Sequence, residues 1–381
     1  MSKVLLGDVA VEHKETCKGS KDGYPIVGLE HLIPEEITLT AWDEGSENTF
    51  SKMFRKGNVL FGRRRAYLKK AAVAPFDGIC SGDITVIEAK PDRILPELLP
   101  FIIQNDDLFD FAVGKSAGSL SPRVKWEHLK NYEFELPDME KQKELAELLW
   151  AMDNTKKSYQ KLIAATDELV KSQFMELFGD PVTNTQGREV RPFKDFMLDI
   201  RYGTSQPPTF NELGEFKFIR ATNIKAGRIT ENGMLRISAD EAAKIEKCRL
   251  NGNEIIIVRS GANTGDTCVV TDEYRDQYAG YDIIVTLNLE IANPVFFNEL
   301  MNTHYMQAII KPLTVRAAQP HINSEQVQNL PMLVVPLQEQ EQFATFVRQS
   351  DKSKFAALSC SNQNLWSCSA IQKLTRKDFR F

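Results

Sequence analysis

The chain has 381 residues, of which 42% are apolar and 26% charged, and its formal net charge at pH 7 is −5. This composition is typical of a soluble globular protein with two or three domains, and no apolar run is long enough to span a membrane. The six cysteines form no CxxC pair, which argues against a zinc site or a disulfide framework. Because the N-terminus also lacks an apolar signal segment, we expect a cytoplasmic protein.

Residues 1–136 are predicted to form a first domain of mixed α/β structure. Its strand-like segments are rich in Val, Ile, Phe and Tyr and are bounded by Gly, Pro or Asp: NVLFG, AAVAP, DITVIEA and YEFEL. The segment from Glu97 to Phe111, which follows Pro96, is predicted to be helical.

A basic stretch without any acidic residue lies between Ser51 and Pro75. Its eight cationic residues are Lys52, Arg55, Lys56, Arg63, Arg64, Arg65, Lys69 and Lys70. The negative net charge argues weakly against a nucleic-acid partner, because phosphate binding depends on Lys and Arg. A locally positive face can nevertheless bind DNA, and an ordinary solvated surface is the alternative interpretation.

A long helix is predicted over residues 137–180. Asp138 is suited to cap its N-terminus, and Gly179 with Pro181 ends it. About 40 residues of α-helix make a rod of about 60 Å. Its apolar residues recur at multiples of an alternating four and three, the spacing of a coiled coil; they are Leu145, Leu149, Met152, Tyr159, Ile163, Val170 and Leu177.

Residues 181–335 are predicted to form a second α/β domain, with strands in EIIIV, CVV and DIIVTLNL and a helix from Pro294 to Lys311. A second long helix is predicted over residues 336–381. It begins with LQEQEQFATFV and continues through Leu358, Leu365, Ile371 and Leu374.

The chain contains an internal repeat. The segment Pro122–Gln142 aligns without a gap with Pro320–Gln340, at an offset of 198 residues. Weaker matches upstream pair IVGLEHL with FIRATNI, and VLFGRRRAYLKKAAV with IIIVRSGANTGDTCVV. The order domain, helix, domain, helix predicts two similar units. We expect the long helices to pair antiparallel and to relate the domains by a pseudo-twofold axis; packing of each helix on its own domain is the alternative.

These segments resemble the DNA specificity subunits of type I restriction–modification systems. The resemblance is carried by SPRVKWEHLKNYEFELPDMEKQKELAELL and HINSEQVQNLPMLVVPLQEQEQFATFV, in which a strand, a proline turn and a glutamate- and glutamine-rich helix start follow one another. It is also carried by LVKSQFMELFGDP at the end of the central helix and by VLFGRRRAYLKKAAVAPFDGICSGD in the first domain. Asp138 and Lys141 depart from the family, which commonly has Pro and Glu there.

The resemblance implies an α/β (α+β) fold with two similar target-recognition domains and two long helices that pair as an antiparallel coiled coil. It implies a non-catalytic subunit that reads a bipartite sequence in double-stranded DNA, with one half-site for each domain. Two methyltransferase subunits would dock on the helices, and restriction subunits with translocase and nuclease activity would join the complex. S-adenosylmethionine, ATP and Mg would be bound by those partner subunits, with no cofactor in this chain.

A free-standing DNA methyltransferase or nuclease is the alternative function. For methyl transfer, which requires an acidic or amide residue before Pro-Pro-aromatic, the nearest motif is Ser205 to Phe210. Its Gln206 is the wrong residue for that place, and Thr209 separates the prolines from Phe210. For a nuclease, Asp83, Glu88 and Lys90 imitate a D…ExK set, but the second domain has Leu287 and Leu289 at the places of Glu88 and Lys90. We therefore predict no catalytic residue.

Two further sequence patterns concern a glycine-rich loop, which has two possible interpretations, and the histidines, which predict no site. Gly261 to Gly265 forms a glycine-rich loop without the Lys-Ser/Thr of a phosphate-binding P-loop, so it either approaches DNA or another backbone. The five histidines show no metal-ligand spacing, and we predict no metal site.

Candidate DNA contacts divide by role. Base readout requires planar or bidentate groups, such as Arg toward guanine and Asn or Gln toward adenine, whereas phosphate contacts require only positive charge. The predicted phosphate contacts are Lys52, Lys56, Lys69, Lys70, Lys115, Lys125, Arg228 and Arg316. The predicted base-reading residues are Arg63, Arg65 and Arg123 in the first domain and Arg220, Asn223, Arg259, Asn263 and Gln319 in the second.

Overall fold

The computed structural model describes residues 2–45, 49–314 and 320–362. The chain divides into two compact units, of which unit 1 contains the residues up to Lys161 and unit 2 runs from Leu162 to Ala357. The predicted domain bounds at residues 136, 180 and 335 stay a prediction.

The strands of unit 1 are β1 (Ser2–Leu5), β2 (Ala10–Glu12), β3 (Glu15–Thr16), β4 (Ile26–Val27), β5 (Lys52–Phe54), β6 (Val59–Gly62), β7 (Ala71–Val73), β8 (Gly78–Cys80), β9 (Ile84–Ala89) and β10 (Glu133–Leu136). Its short helices are α1 (Leu6–Val9), α2 (Leu99–Ile103), α3 (Asp106–Gly114) and α4 (Trp126–Leu129), with 3-10 turns at Ala66–Leu68 and Pro96–Leu98. The long helix α5 (Met139–Phe178) starts in unit 1 and ends in unit 2.

The central sheet of unit 1 has the strand order β2-β9-β6-β7 and is antiparallel throughout. Successive residues of a strand point to opposite faces, so an unbroken apolar strand must be covered on both. In β6, Val59 and Phe61 join a core with the helices, whereas Leu60 joins a core with the second sheet, β3-β5-β8-β4. The central sheet is thus buried on both faces.

The strands of unit 2 are β11 (Val190–Pro192), β12 (Met197–Tyr202), β13 (Phe216–Ile219), β14 (Ile224–Lys225), β15 (Arg228–Ile229), β16 (Leu235–Ile237), β17 (Ile255–Ile257), β18 (Thr267–Val269), β19 (Tyr278–Ala279), β20 (Ile283–Leu287) and β21 (Pro331–Leu333). Its helices are α6 (Ala239–Lys244), α7 (Pro294–Asn302), α8 (Lys311–Thr314), α9 (Ser324–Gln328) and α10 (Leu337–Asn362). There are 3-10 turns at Phe193–Phe196, Ala221–Asn223, Glu246–Cys248 and Asp272–Tyr274, and a π-helical turn at Met306–Ile310.

Unit 2 repeats the architecture of unit 1. Its central sheet has the order β12-β20-β17-β18, and the residues of β17 alternate between two cores: Ile255 and Ile257 face the helices, and Ile256 faces the second sheet. A first strand also pairs antiparallel with the strand before the long helix in both units, β1 with β10 and β11 with β21. The predicted repeat of mixed α/β units is confirmed.

One buried glutamine in each unit fixes the start of its long helix. In unit 1, Gln142 accepts a hydrogen bond from Leu95 N at 2.8 Å and donates one to Pro137 O at 2.9 Å. In unit 2, Gln340 accepts one from Asn293 N at 2.7 Å and donates one to Val335 O at 2.7 Å. Leu95 and Asn293, like Pro137 and Val335, are 198 positions apart, as are the two glutamines. Residues that are equivalent in the sequence repeat therefore make equivalent hydrogen bonds in the structure.

Helix α5 begins and ends as predicted. The Asp138 carboxylate accepts a hydrogen bond from Lys141 N at 3.0 Å, and Gly179 has a φ of +76°, the left-handed conformation that terminates helices. The predicted helix from Glu97 to Phe111 is instead divided, because Asn105 caps a new helix by accepting from Asp107 N at 2.9 Å. The predicted helix from Pro294 to Lys311 is likewise interrupted at Thr303.

The expected antiparallel pairing of the long helices is found within unit 2. Phe343 of α10 contacts Phe174 and Phe178 of α5, with ring centroids 5.5 Å apart in both pairs. Further along α10, Lys354 forms an ion pair with Asp167 of α5, so the two helices run in opposite directions. The predicted continuation of the second helix through Leu365, Ile371 and Leu374 lies outside the described residues.

The buried stripe of α5 follows two surfaces in succession. In unit 1, Leu145 and Leu149 pack on the core of their own domain, as the alternative interpretation expected. In unit 2 the buried positions are Val170, Phe174 and Phe178, so the predicted position Val170 is buried, while the predicted position Leu177 is 44% exposed. The difference arises because a straight α-helix has 3.6 residues per turn and drifts away from a strict heptad stripe.

We predict that Gln340→Ala lowers the free energy of unfolding by about 2–4 kcal/mol, because it removes the hydrogen-bond partner of backbone groups in three residues. Gln340 is fully buried, and its amide also donates to Ile291 O at 3.1 Å. Urea unfolding of the full chain measures the loss. The matched control is Gln342→Ala, an exposed position on the same helix, which should change stability by less than about 0.5 kcal/mol. An equal effect of both substitutions would contradict the assigned role.

Candidate nucleic-acid interface

Each unit has an arginine near the end of the central-sheet strand whose residues alternate between two cores, which is β6 in unit 1 and β17 in unit 2. Arg63 follows β6, and its carbonyl accepts a hydrogen bond from Val124 N at 3.0 Å. Arg259 follows β17 closely, and its carbonyl accepts one from Ile322 N, also at 3.0 Å. The residues before these two donors, Arg123 and His321, are therefore equivalent as well. We call these places the Arg63 site and the Arg259 site.

The Arg63 site is an ionic groove of about 810 Å³. Asp83, which precedes β9, accepts hydrogen bonds from Arg123 Nε at 2.6 Å and Arg123 Nη2 at 3.2 Å, and from Arg64 Nη1 at 3.4 Å. These guanidinium groups hold the pKa of Asp83 below its usual range, chiefly through the hydrogen bonds from Arg123. Other residues that line the groove are Glu12, Lys14, Glu15, Thr16, Ser51, Lys52, Arg63 and Gly82.

The Arg259 site is aromatic. The Arg259 guanidinium contacts two tyrosine rings: its Cζ is 4.4 Å from the ring centroid of Tyr202 and 4.3 Å from that of Tyr281. Its Nε is 3.4 Å from Nε2 of His321. The carboxylate of Asp282 accepts a hydrogen bond from the backbone N–H of Arg259 at 3.1 Å. Burial raises the pKa of Asp282 to about 6. Contact with the two rings orients the guanidinium, whose Nε and Nη2 both face His321 Nε2.

The two sites therefore combine one backbone arrangement with two kinds of side chain. Unit 1 has Arg123 paired with Asp83, whereas the equivalent place in unit 2 has His321 and two tyrosines. Both surfaces can donate planar, bidentate hydrogen bonds to a base edge, but their surroundings differ in charge and shape. Two domains that recognise different DNA sequences require such a difference.

The other residues of unit 1 that were predicted to contact DNA lie in several different environments. Lys52 and Lys70 donate to the carbonyl oxygens of Ile84 at 2.8 Å and Leu29 at 2.7 Å, so both ammonium groups contact their own domain. Lys69 forms an ion pair with Asp106. The predicted residues with exposed side chains are Lys56, Arg65, Lys115 and Lys125.

In unit 2, two predicted residues have structural contacts. Asn223 is fully buried, and its amide donates to Thr230 O at 3.2 Å and Asn232 O at 3.1 Å, which leaves no surface for a base. Arg228 forms ion pairs with Asp351 of α10 and Asp167 of α5, so it fastens the β14–β15 hairpin to the long helices.

Two further predicted residues of unit 2, Arg220 and Asn263, are partly exposed. Arg220 donates from Nη2 to Gly233 O at 2.9 Å, and Asn263 donates to Ala221 O at 3.2 Å. The Nε atoms of Arg63 and Arg220 are buried and have no hydrogen-bond partner among the described residues. Arg316 and Gln319 lie outside the described residues.

Residue types alone did not identify Tyr202, Tyr281 and His321 as members of a site. The signal for His321 was present in the repeat, because it stands 198 positions after Arg123. The tyrosines become recognisable only when the ends of β12 and β20 are brought together by the sheet.

The nuclease-like set is separated in the structure. Asp83 binds Arg123, Glu88 lies 2.7 Å from Nδ1 of His13, and Lys90 donates to Gly7 O at 2.7 Å. Each of the three groups thus has a different neighbour, and they do not form a shared metal site.

Glu30, His31 and Asp43 do lie close enough to share a cation. However, Nδ1 of His31 accepts a hydrogen bond from Gly28 N at 2.9 Å, so the proton of the neutral ring is on Nε2. A metal would need that nitrogen bare, and Nε2 instead faces Asp43 at 3.5 Å. The arrangement therefore fits a neutral His31 ring whose Nε2–H faces the Asp43 carboxylate, and it does not fit a metal centre. Within the described part of the chain, no helix is both long enough and apolar enough to cross a bilayer.

The comparison with known families has a clear result. A family model described as the type I restriction modification DNA specificity domain matches residues 4–165 and 189–364, most of the chain. The EcoDI type I restriction enzyme specificity subunit of Escherichia coli is 26% identical over 179 residues, which are 46% of this chain and 36% of that protein. The matched part thus spans little more than a third of that relative's length.

Solved structures share the fold. The S subunit of a type I restriction–modification system from M. genitalium has a TM-score of 0.61 at 11% identity, over 98% of this chain and 94% of that chain. A chain from a structure concerned with complex assembly and conformational transition of the type I R-M system has a TM-score of 0.51 at 20% identity, over 99% of this chain and 98% of that chain. These similarities confirm the predicted fold class.

We predict that Asp282→Asn stabilises the protein by about 1–3 kcal/mol above pH 6. The folded-state pKa of Asp282 lies above its ordinary value, so ionisation of this carboxyl costs stability as pH rises from about 4 through 6. Asparagine can still accept the hydrogen bond from Arg259 N and carries no charge. Urea unfolding between pH 4 and pH 8 measures the effect, which should shrink toward pH 4.

The matched control is Asp272→Asn, whose side chain is 88% exposed and should change stability little at any pH. A stabilisation by Asp282→Asn that is independent of pH would show that charge burial is not its cause.

Proposed function

The chain belongs to the type I restriction–modification DNA specificity family, and from this membership we propose that it is the DNA-recognition subunit of a type I complex. In this proposal it reads a bipartite sequence in double-stranded DNA, and each unit reads one half-site. It performs no catalysis of its own. Two methyltransferase subunits dock on its long helices, restriction subunits complete the complex, and these partners bind S-adenosylmethionine, ATP and Mg.

One observation carries the proposal: equivalent places in two copies of one scaffold have unlike surfaces. The Arg63 site is ionic and the Arg259 site is aromatic, although the same backbone hydrogen bonds build both. A protein that bound DNA through charge alone would have no need of unlike surfaces, because phosphates are the same at every step. Two surfaces that differ where they expose bidentate donors support the reading of two different half-sites.

The proposed contacts follow from exposure and chemistry. Lys56, Lys115 and Lys125 are exposed and are proposed to bind phosphates, and Arg65 is exposed beside the Arg63 site. Arg63, Arg123, Arg259, Arg220 and Asn263 are proposed to face base edges. Asn223 and Arg228 have structural roles instead, as the buried amide of Asn223 and the ion pairs between Arg228 and the long helices indicate.

Mapping of methylated adenines tests the proposed function. Genomic DNA from the host with and without this gene is compared, and the proposal expects one bipartite motif to lose methylation when the gene is absent. An unchanged methylation map contradicts it. Methyl transfer by the purified chain with S-adenosylmethionine alone would contradict the non-catalytic role and favour a free-standing methyltransferase.

We predict that Arg259→Ala reduces discrimination by about 1–3 kcal/mol at one base pair of one half-site, because a bidentate contact is lost. Binding of the assembled complex to duplexes with single base-pair changes measures it. The matched control is Arg191→Ala, an exposed arginine on β11 outside the Arg259 site, which should leave discrimination unchanged. Weaker binding to every duplex alike would mean that Arg259 contacts phosphate and reads no base.

We predict that seven residues inserted into α5 near Asp153 lengthen the spacer between the two recognised half-sites by about three base pairs. The insertion adds about 10 Å of helix, and base pairs stack at about 3.4 Å. Both half-sites should stay the same, since no recognition residue changes. Methylation mapping of the variant measures the spacer, and a spacer of the original length would exclude α5 as its determinant.

A further inference from the structure

The hydrogen-bonding capacity of Arg123 is only partly used. A guanidinium has five N–H groups. The Nε–H and one N–H of Nη2 point to the two carboxylate oxygens of Asp83, at 2.6 Å and 3.2 Å. Nη1 lies 3.5 Å from Ser121 O, at the limit of a hydrogen bond. The outer edge, formed by Nη1 and the second N–H of Nη2, has no further partner among the residues that the structure describes, and the side chain is 42% exposed on the wall of the groove.

Asp83 is a fixed support for this arginine. Its backbone carbonyl accepts from Arg63 N at 3.0 Å, and its backbone N–H donates to Ser81 Oγ at 3.2 Å. Arg64 contacts the same carboxylate at 3.4 Å, and the Asp83 side chain is only 19% exposed. A carboxylate anchored in this way holds the plane of the Arg123 guanidinium in one orientation.

We infer that Asp83 is a positioning residue that presents the free edge of Arg123 to a guanine in the half-site read by unit 1. The inference rests on the proposed function. Guanine offers two adjacent acceptors, O6 and N7, in the major groove, and these match two parallel N–H groups of an arginine edge. An arginine already held by Asp83 loses less conformational entropy on binding than a mobile one, so the contact is stronger and more selective.

Unit 2 supplies an internal comparison. At the equivalent position Arg123 is replaced by His321, and Arg259 is oriented by the rings of Tyr202 and Tyr281; among the described residues no carboxylate pairs with its guanidinium. An effect that depends on Asp83 is therefore confined to one half-site.

The experiment uses the full chain assembled with its methyltransferase subunits and a duplex that carries the mapped target. Each guanine is replaced in turn by 7-deazaguanine, which lacks the N7 acceptor and keeps the base pair. Wild type should lose about tenfold or more in affinity at one guanine of the unit 1 half-site. In Asp83→Asn the loss at that position should fall below about threefold, while any losses in the other half-site are unchanged.

A second variant keeps the test valid if Asp83→Asn folds poorly. Asp83→Glu retains the charge for Arg64 and Arg123 but moves the carboxylate by one methylene, and it should also reduce the 7-deazaguanine effect. The inference is overturned if either folded variant keeps the full effect, if it weakens binding to all duplexes equally, or if the unit 1 half-site has no guanine sensitive to 7-deazaguanine. Wild type that binds all duplexes alike would instead contradict the proposed function, and that result is seen before any variant is made.

Discussion

Burial of the central sheet on both faces is the constraint from which the rest of the structure follows. Val59 and Phe61 face the helices while Leu60 faces the second sheet, and Ile255, Ile257 and Ile256 repeat this division in unit 2. With both faces covered, the sheet can present polar groups only where its strands end. Both proposed reading sites lie at such ends, so their loops can vary while the sheet that positions them stays the same.

Much of the fold was predictable because it depends on local signals. Apolar strand segments, the Asp138 cap and the terminal Gly179 act within a few residues, and the repeat revealed the two-unit organisation. The site was less predictable, because a polar residue in a sequence does not show what faces it. Asn223 has the chemistry of a base-reading residue but serves buried backbone groups, and Arg228 has the charge of a phosphate contact but pairs with Asp351.

The two sites orient an arginine in two different ways. In unit 1 the carboxylate of Asp83 binds one edge of Arg123, and in unit 2 two tyrosine rings contact the guanidinium of Arg259. Either arrangement restricts a side chain that otherwise has many rotamers, so less entropy is lost when a base is bound. The choice between them changes the charge of the surface without altering the backbone beneath it.

We propose that each unit reads its own half-site independently and that the two units are built on one interchangeable scaffold. The most direct measurement is the methylation motif of a chimaera in which residues 197–328 are replaced by a second copy of residues 10–130, with both buried glutamines retained. We expect a motif in which both halves are the sequence formerly read by unit 1. A motif that keeps the original second half would contradict it, because recognition would then not reside in the exchanged residues.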